Sequence, residues 1–184
     1  MQDLTPQEER ELIQRILAGA TDEFRLIVLK YQELIVNLIF RQTGDRDVAN
    51  DLAQETFIKV FKGLSRFRGE AALKTWITRI AINTCNTYFR SRAYRESRLR
   101  TANLAAIEAT ARSTSNPAQD LELSQLQHAI ATLNPIFREV LVLCGIEQRS
   151  YEEVSKILNI PVGTVRSRLN RARLLLSAIM FEGN

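Results

Sequence analysis

The chain has 184 residues, 45% of them hydrophobic and 25% charged, a globular composition that allows one ordinary domain or two small ones and excludes a large multidomain enzyme. Lys and Arg number 25 against 21 Asp and Glu, for a net charge of +4, so the placement of the basic residues matters more than their excess. One histidine, His128, and two cysteines, Cys85 and Cys144, are too few to make a four-ligand structural zinc site by themselves, and they argue against a disulfide framework.

Helical periodicity runs almost throughout. Thr5-Pro6-Gln7-Glu8 is a capping box with proline at the first helical position. Leu12, Ile13, Ile16 and Leu17 supply an apolar face, and Gly19 ends the helix. Thr21 with Asp22 and Glu23 opens a second helix, whose stripe runs from Phe24 through Ile27, Val28, Tyr31, Leu34, Ile35 and Leu38 to Ile39. After Gly44, a third helix is predicted over 46–63 with Val48, Leu52, Val60 and Phe61 inward, and a fourth over about 71–92. The pattern weakens between 93 and 116, which reads as a connector. Asn116-Pro117-Ala118-Gln119 repeats the capping logic and opens a second unit, with Leu123, Leu126, Ile130 and Leu133 along one helix. Asn134-Pro135 starts the next, carrying Phe137, Val140, Leu141 and Cys144 inward. Neither alternating β-branched runs nor Asn-Gly hairpins occur, so the expected fold is all-α: two small helical domains, 1–95 and 117–184, joined by a flexible linker, 96–116.

The second unit carries the clearest chemistry. Ser150-Tyr151-Glu152-Glu153 is another capping box, opening a short helix with Val154, Ile157 and Leu158. Asn159-Ile160-Pro161 turns the chain into a helix beginning near Val162, a helix-turn-helix pattern. In that second helix Val165, Leu169, Ala172 and Leu176 share the inner face, and Gly163, Arg166, Ser167, Asn170 and Arg171 the outer one. Arg can bond guanine with two donors and Asn adenine, so the outer face can read base edges. Arg168 and Arg173 flank it as phosphate contacts, and no acid lies between Glu153 and Glu182. A merely solvated basic face is the competing reading; the capped helix and turn in front of it favour DNA.

In the first unit, Asp51, Gln54, Glu55, Ile58 and Lys62 form a polar stripe opposite Leu52 and Val60. By itself it fits either a partner face anchored by Ile58 or an ordinary solvated surface, with Asp51 and Glu55 pairing to Lys59 and Lys62. The loop and fourth helix interleave Phe67, Trp76, Tyr88 and Phe89 with Arg66, Arg68, Lys74, Arg79, Arg90, Arg92 and Arg95, as single-strand binders do. Trp76 and Ile80 are also spaced to pack together in a core, and Asn83 could bond an extruded base. A glycine-rich phosphate loop, a nucleophile–base pair and a metal-ligand set are all missing from the pattern. The acidic start, MQDLTPQEERE, does not read as a signal peptide and no apolar run is long enough to span a membrane, so a cytoplasmic protein is expected. A stand-alone helix-turn-helix regulator remains open on these residues.

DLAQETFIKVFKGLSRFRG, KTWITRIAINTCNTYFR and SYEEVSKILNIPVGTVRSRLNRAR, in that order, resemble the signature segments of the extracytoplasmic-function (group 4) RNA polymerase sigma factors of the sigma-70 family, over roughly 8–92 and 118–178. The resemblance implies a transcription initiation factor, not an enzyme, acting in a stress or envelope response with neither cofactor nor small-molecule substrate. It implies core RNA polymerase as partner, through the β′ clamp helices and the β flap, with Asp51, Gln54, Glu55 and Ile58 at the clamp. Promoter DNA would meet Arg66, Phe67, Arg68, Lys74, Trp76, Arg79, Asn83 and Arg90 at the −10 element, with Arg66, Phe67, the loop to Glu70 and Asn83 as a flipped-base pocket. Arg166, Ser167, Arg168, Asn170, Arg171 and Arg173 would meet the −35 element. An anti-sigma factor, which could be membrane-anchored, is a further implied partner. Where primary sigma factors carry a denser aromatic cluster beside Trp76, this chain has Ile77.

Overall fold

A computed structural model describes residues 5–102 and 119–182. Its helices are α1 (Pro6–Leu17), α2 (Phe24–Thr43), α3 (Arg46–Gly63), α4 (Leu73–Ala102), α5 (Gln119–Thr132), α6 (Pro135–Leu141), α7 (Tyr151–Leu158) and α8 (Val162–Glu182). Strands are absent among the described residues. Short 3₁₀ turns at Thr21–Glu23 and Leu64–Arg66 precede α2 and follow α3, and a π-helical turn, Val142–Ile146, continues α6.

The helices start where their side chains satisfy the free N–H groups of a first turn. At α1 Glu8 N–H donates to Thr5 Oγ1 (3.3 Å) while Thr5 N–H donates to the Glu8 carboxylate (2.6 Å). Ser150 and Glu153 repeat this box at α7, at 3.2 and 2.9 Å. Asp45 caps α3 and Asn134 caps α6. Thr21 makes no cap; its segment is a single 3₁₀ turn, and Glu23 instead pairs with Arg15 at 2.8 Å. The box expected at Asn116 lies outside the described residues. Helix α4 runs ten residues past the predicted end at 92, to Ala102, because the stretch is rich in Arg and Ala and holds neither Gly nor Pro to stop it.

Helices α1–α4 pack around Leu12, Ile27, Ile35, Leu38, Ile39, Val60, Leu73 and Ile77, all essentially inaccessible. In the C-terminal unit Val140, Val142, Leu143, Val154, Val165, Leu169 and Ala172 do the same. Buried Thr56, Thr78 and Thr84 return their hydroxyls to the carbonyl four residues back, at 2.7, 2.8 and 2.9 Å, and Thr84 Oγ1 also accepts from Lys59 Nζ at 3.1 Å. Two periodicity assignments fail. Leu17, the last residue of α1, is 53% exposed, and Phe61 is 41% exposed, set edge-on against Phe24 at 5.0 Å between ring centres. Cys85 is buried as expected, whereas Cys144 sits half-buried in the π turn.

The two units also pack on each other: α4 meets α6 and α7, and α2 meets α5, so the buried residues form one connected cluster. Between the π turn and α7, Gln148 adopts a left-handed conformation (φ 52°) that suits glycine better. Gln148→Gly is therefore expected to stabilise the fold by about 0.5–1 kcal/mol, the relief of strain exceeding the added chain entropy; thermal denaturation by circular dichroism checks the sign.

Candidate nucleic-acid interface

The turn between α7 and α8 is fixed locally. Asn159 takes the left-handed conformation that ends α7 (φ 54°), Ser155 Oγ donates to Ile160 O at 2.6 Å, and Ile160 N–H returns to Ser155 O at 3.2 Å. Helix α8 leaves this turn with Val165, Leu169 and Ala172 buried beneath it and Leu176 half-buried. Gly163, Arg166, Ser167, Asn170, Arg171 and Arg173 face solvent. The Arg166 guanidinium lies 5.8 Å from the centre of the Tyr151 ring, so the first helix of the motif supports the first arginine of the second. Arg168 differs from its neighbours: it is half-buried and reaches Glu139 at 3.4 Å.

On α3, Asp51, Gln54, Glu55, Ile58 and Lys62 are all exposed on one side, and Glu55 pairs with Lys59 at 2.7 Å. Ile58, 55% exposed, borders an open apolar groove of about 670 Å³ lined by Phe24, Val28, Leu29, Phe57 and Phe61. The periodicity that assigned Phe24 and Phe61 to the core hid this groove.

The loop 64–72 and the start of α4 form a second surface. Phe67 packs on Trp76 at 5.2 Å between ring centres, and Trp76 is half-buried over Gly63. Arg66 and Arg68 are exposed, and Lys74 is half-buried. A cleft of about 300 Å³ opens between Phe67, Gly69 and Glu70 of the loop and Glu9, Arg10 and Ile13 of α1. Phe67 and the loop residues Gly69 and Glu70 line it, whereas Arg66 and Asn83 do not; α1 supplies a wall that the motif did not include. Ile77 is fully buried. Arg79, Asn83, Asn86 and Arg90 succeed one another along one face of α4, with Asn83 and Arg90 exposed.

That face meets the other unit. Arg79 donates through Nε to Ile157 O at 3.2 Å and through Nη2 to Lys156 O, at the C-terminal end of α7. Asn86 Nδ2 donates to Glu139 Oε2 at 3.0 Å. Arg138, buried, donates through Nη1 to Gln42 O at 2.7 Å and through Nη2 to Ala131 O and to Leu133 O, the last at 2.6 Å, with its guanidinium 4.3 Å from the Phe89 ring centre. Gln127 Nε2 donates to Phe40 O and Arg41 O at 3.2 and 3.1 Å, and Arg41 pairs with Glu147. Burial lowers Arg138 to about 10 and pushes the Cys85 thiol up to about 12. It raises Glu139 too, against the opposing pull of Asn86 and Arg168.

Comparisons with known proteins fall on the same two units. The family described as Sigma-70 region 2 matches residues 27–95, and Sigma-70, region 4, matches residues 123–176. The RNA polymerase sigma-H factor of Pseudomonas aeruginosa is 35% identical over 181 residues, covering 92% of each chain. The chain belongs to the sigma-70 family, in its extracytoplasmic-function group. The ECF RNA polymerase sigma-E factor of Escherichia coli is likewise 35% identical over 177 residues, 90% of each chain. Among solved structures, the sigma factor RpoE in complex with the anti-sigma factor NepR from Bartonella quintana aligns with a TM-score of 0.67 at 25% identity, over 86% of this chain and 96% of that one. CnrH in complex with the cytosolic domain of CnrY shares the fold, with a TM-score of 0.68 at 22% identity over 95% and 98%. The sigma factor is thus a transcription initiation factor rather than a stand-alone regulator, and its family is not an enzyme family. No helix among the described residues is long and apolar enough to cross a membrane.

The raised Glu139 carboxyl has a consequence for stability. The folded sigma factor holds that proton more tightly than the unfolded chain, so ionising Glu139 weakens the fold as pH rises from the ordinary 4.5 through the raised value. Glu139→Gln removes this loss. Urea unfolding at several pH values is expected to show the variant gaining on wild type between pH 4.5 and neutrality.

Proposed function

We propose that this sigma factor binds core RNA polymerase through the exposed α3 stripe of Asp51, Gln54, Glu55 and Ile58 and selects promoters through two DNA-reading surfaces. The −35 element would lie in reach of α8, where Arg166, Ser167, Asn170 and Arg171 specify bases and Arg168 and Arg173 hold phosphates. The −10 element would meet the loop 64–72 and α4: Arg66, Phe67, Arg68, Lys74, Trp76, Arg79, Asn83 and Arg90. Capture of an unstacked base in the cleft between this loop and α1 would offset a few kcal/mol of strand opening. The β flap would meet the C-terminal unit. The named partners of the solved relatives support an anti-sigma factor as regulator, and the sigma-E relatives support a stress or envelope response in the cytoplasm.

The observation that carries this reading is the sorting of α8, where Val165, Leu169 and Ala172 are buried while Arg166, Ser167, Asn170 and Arg171 stay exposed on the other side. Run-off transcription with purified core polymerase and a promoter library tests it directly. Selection of duplex promoters by the purified protein alone, at physiological salt, would count for an operator-binding regulator instead.

Two substitutions separate the roles. Asp51→Arg should abolish co-purification with core polymerase while leaving the circular dichroism spectrum intact, because Asp51 is exposed and makes no tertiary bond. Arg171→Ala should cost ~1–3 kcal/mol of promoter preference at one base position, read from the library as relaxed selection there. A uniform loss across all promoters would make Arg171 a phosphate contact.

A further inference from the structure

The arginines of α8 are held in different ways. Arg168 reaches Glu139 at 3.4 Å, which commits guanidinium donors to a carboxylate of its own domain. Arg166 is exposed and makes no hydrogen bond or ion pair among the described residues; its Cζ lies over the ring of Tyr151, 5.8 Å from the centre. A ring face attracts the charge of a guanidinium without accepting its N–H groups, so all five donors stay free for a base. Of the α8 arginines, Arg166 alone has this support among the described residues.

The ring is a fixed platform. Tyr151 is the first residue of α7, and the reciprocal bonds between Ser150 and Glu153, at 3.2 and 2.9 Å, set the backbone there. Its side chain is half-buried and packs against the core of the domain. The carboxylate one turn on does not compete for the arginine: Glu153 accepts from Ser150 N–H through Oε2 and pairs with Arg149 through Oε1 at 3.5 Å.

We propose that Tyr151 is a positioning residue for promoter recognition, its ring holding the Arg166 guanidinium in place with every donor free and thereby setting how strongly one base of the −35 element is selected. The inference rests on the proposed −35 contacts of α8. An unsupported arginine loses the rotamer freedom of a long side chain when it docks on a base edge, and ordering it beforehand reduces that loss. The gain falls on the base that Arg166 reads and not on those read by Asn170 or Arg171, which no ring supports among the described residues.

Run-off transcription by the full chain with core polymerase, from a library randomised over the −35 element, tests this position by position. Arg166→Ala first identifies the base position that Arg166 reads. Tyr151→Leu keeps an apolar side chain against the core. It should relax preference at that position by about two- to fivefold, the factor that a cation–ring contact at an exposed site provides, and leave the other positions unchanged. Tyr151→Phe keeps the ring and should select as wild type does. In the Arg166→Ala background, Tyr151→Leu should change nothing further at that position. Preferences are ratios within one library, so a smaller amount of folded protein cancels. An even loss over all positions would overturn the inference by marking a structural role. Equal losses in the Phe and Leu variants would overturn it by assigning the contact to the hydroxyl. So would an undiminished effect of Tyr151→Leu once Arg166 is already Ala. If Arg166→Ala relaxes no position, the proposed base contact of Arg166 falls and the inference with it; failure confined to the Tyr151 variants leaves that contact standing.

Discussion

A helix cannot bond the last four of its own carbonyls, and in this sigma factor those groups decide how the two domains meet. The end of α2 offers Phe40 O, Arg41 O and Gln42 O, and residues of the C-terminal domain, Gln127 and Arg138, supply the donors. The end of α7 offers Lys156 O and Ile157 O, and Arg79 of the N-terminal domain answers. Each domain thus caps a helix of the other. The arrangement also places positive guanidinium groups at the negative ends of helix dipoles, where they are favoured. Arg138 is the centre of it, since the same guanidinium ties Gln42 of one domain to Ala131 and Leu133 of its own.

The modest net charge of +4 conceals a separation by surface. The α3 stripe presents Asp51 and Glu55 beside an apolar groove, a combination suited to protein. The outer face of α8 presents arginines without an acid between Glu153 and Glu182, a combination suited to DNA. Arg79 and Arg138 are exceptions among the basic residues, each bonded to carbonyls of the opposite domain, and Arg168 turns to Glu139 of its own domain.

Much of this was legible in the order of residues, and the division has a physical basis. Capping boxes at Thr5 and Ser150, the turn at Asn159 and the two faces of α8 are local patterns, written within a few neighbouring positions. The faces of α3 followed from the same spacing. Phe61 and Leu17 were misassigned because periodicity shows which side a residue lies on, not whether another helix covers that level. The domain contact had no sequence signature, since every residue carries a carbonyl and Gln127, Arg138 and Arg79 look like ordinary polar positions. The wall that α1 contributes to the cleft beside Phe67 was hidden for a similar reason: Glu9 and Arg10 are distant in the chain and match no motif.

The chemistry of the two cysteines limits how a signal can reach this protein. Oxidants attack thiolates, and burial holds Cys85 in its protonated form up to about 12 and raises Cys144 as well. Peroxide in the surrounding solution therefore meets two sulfurs that react sluggishly while the chain is folded.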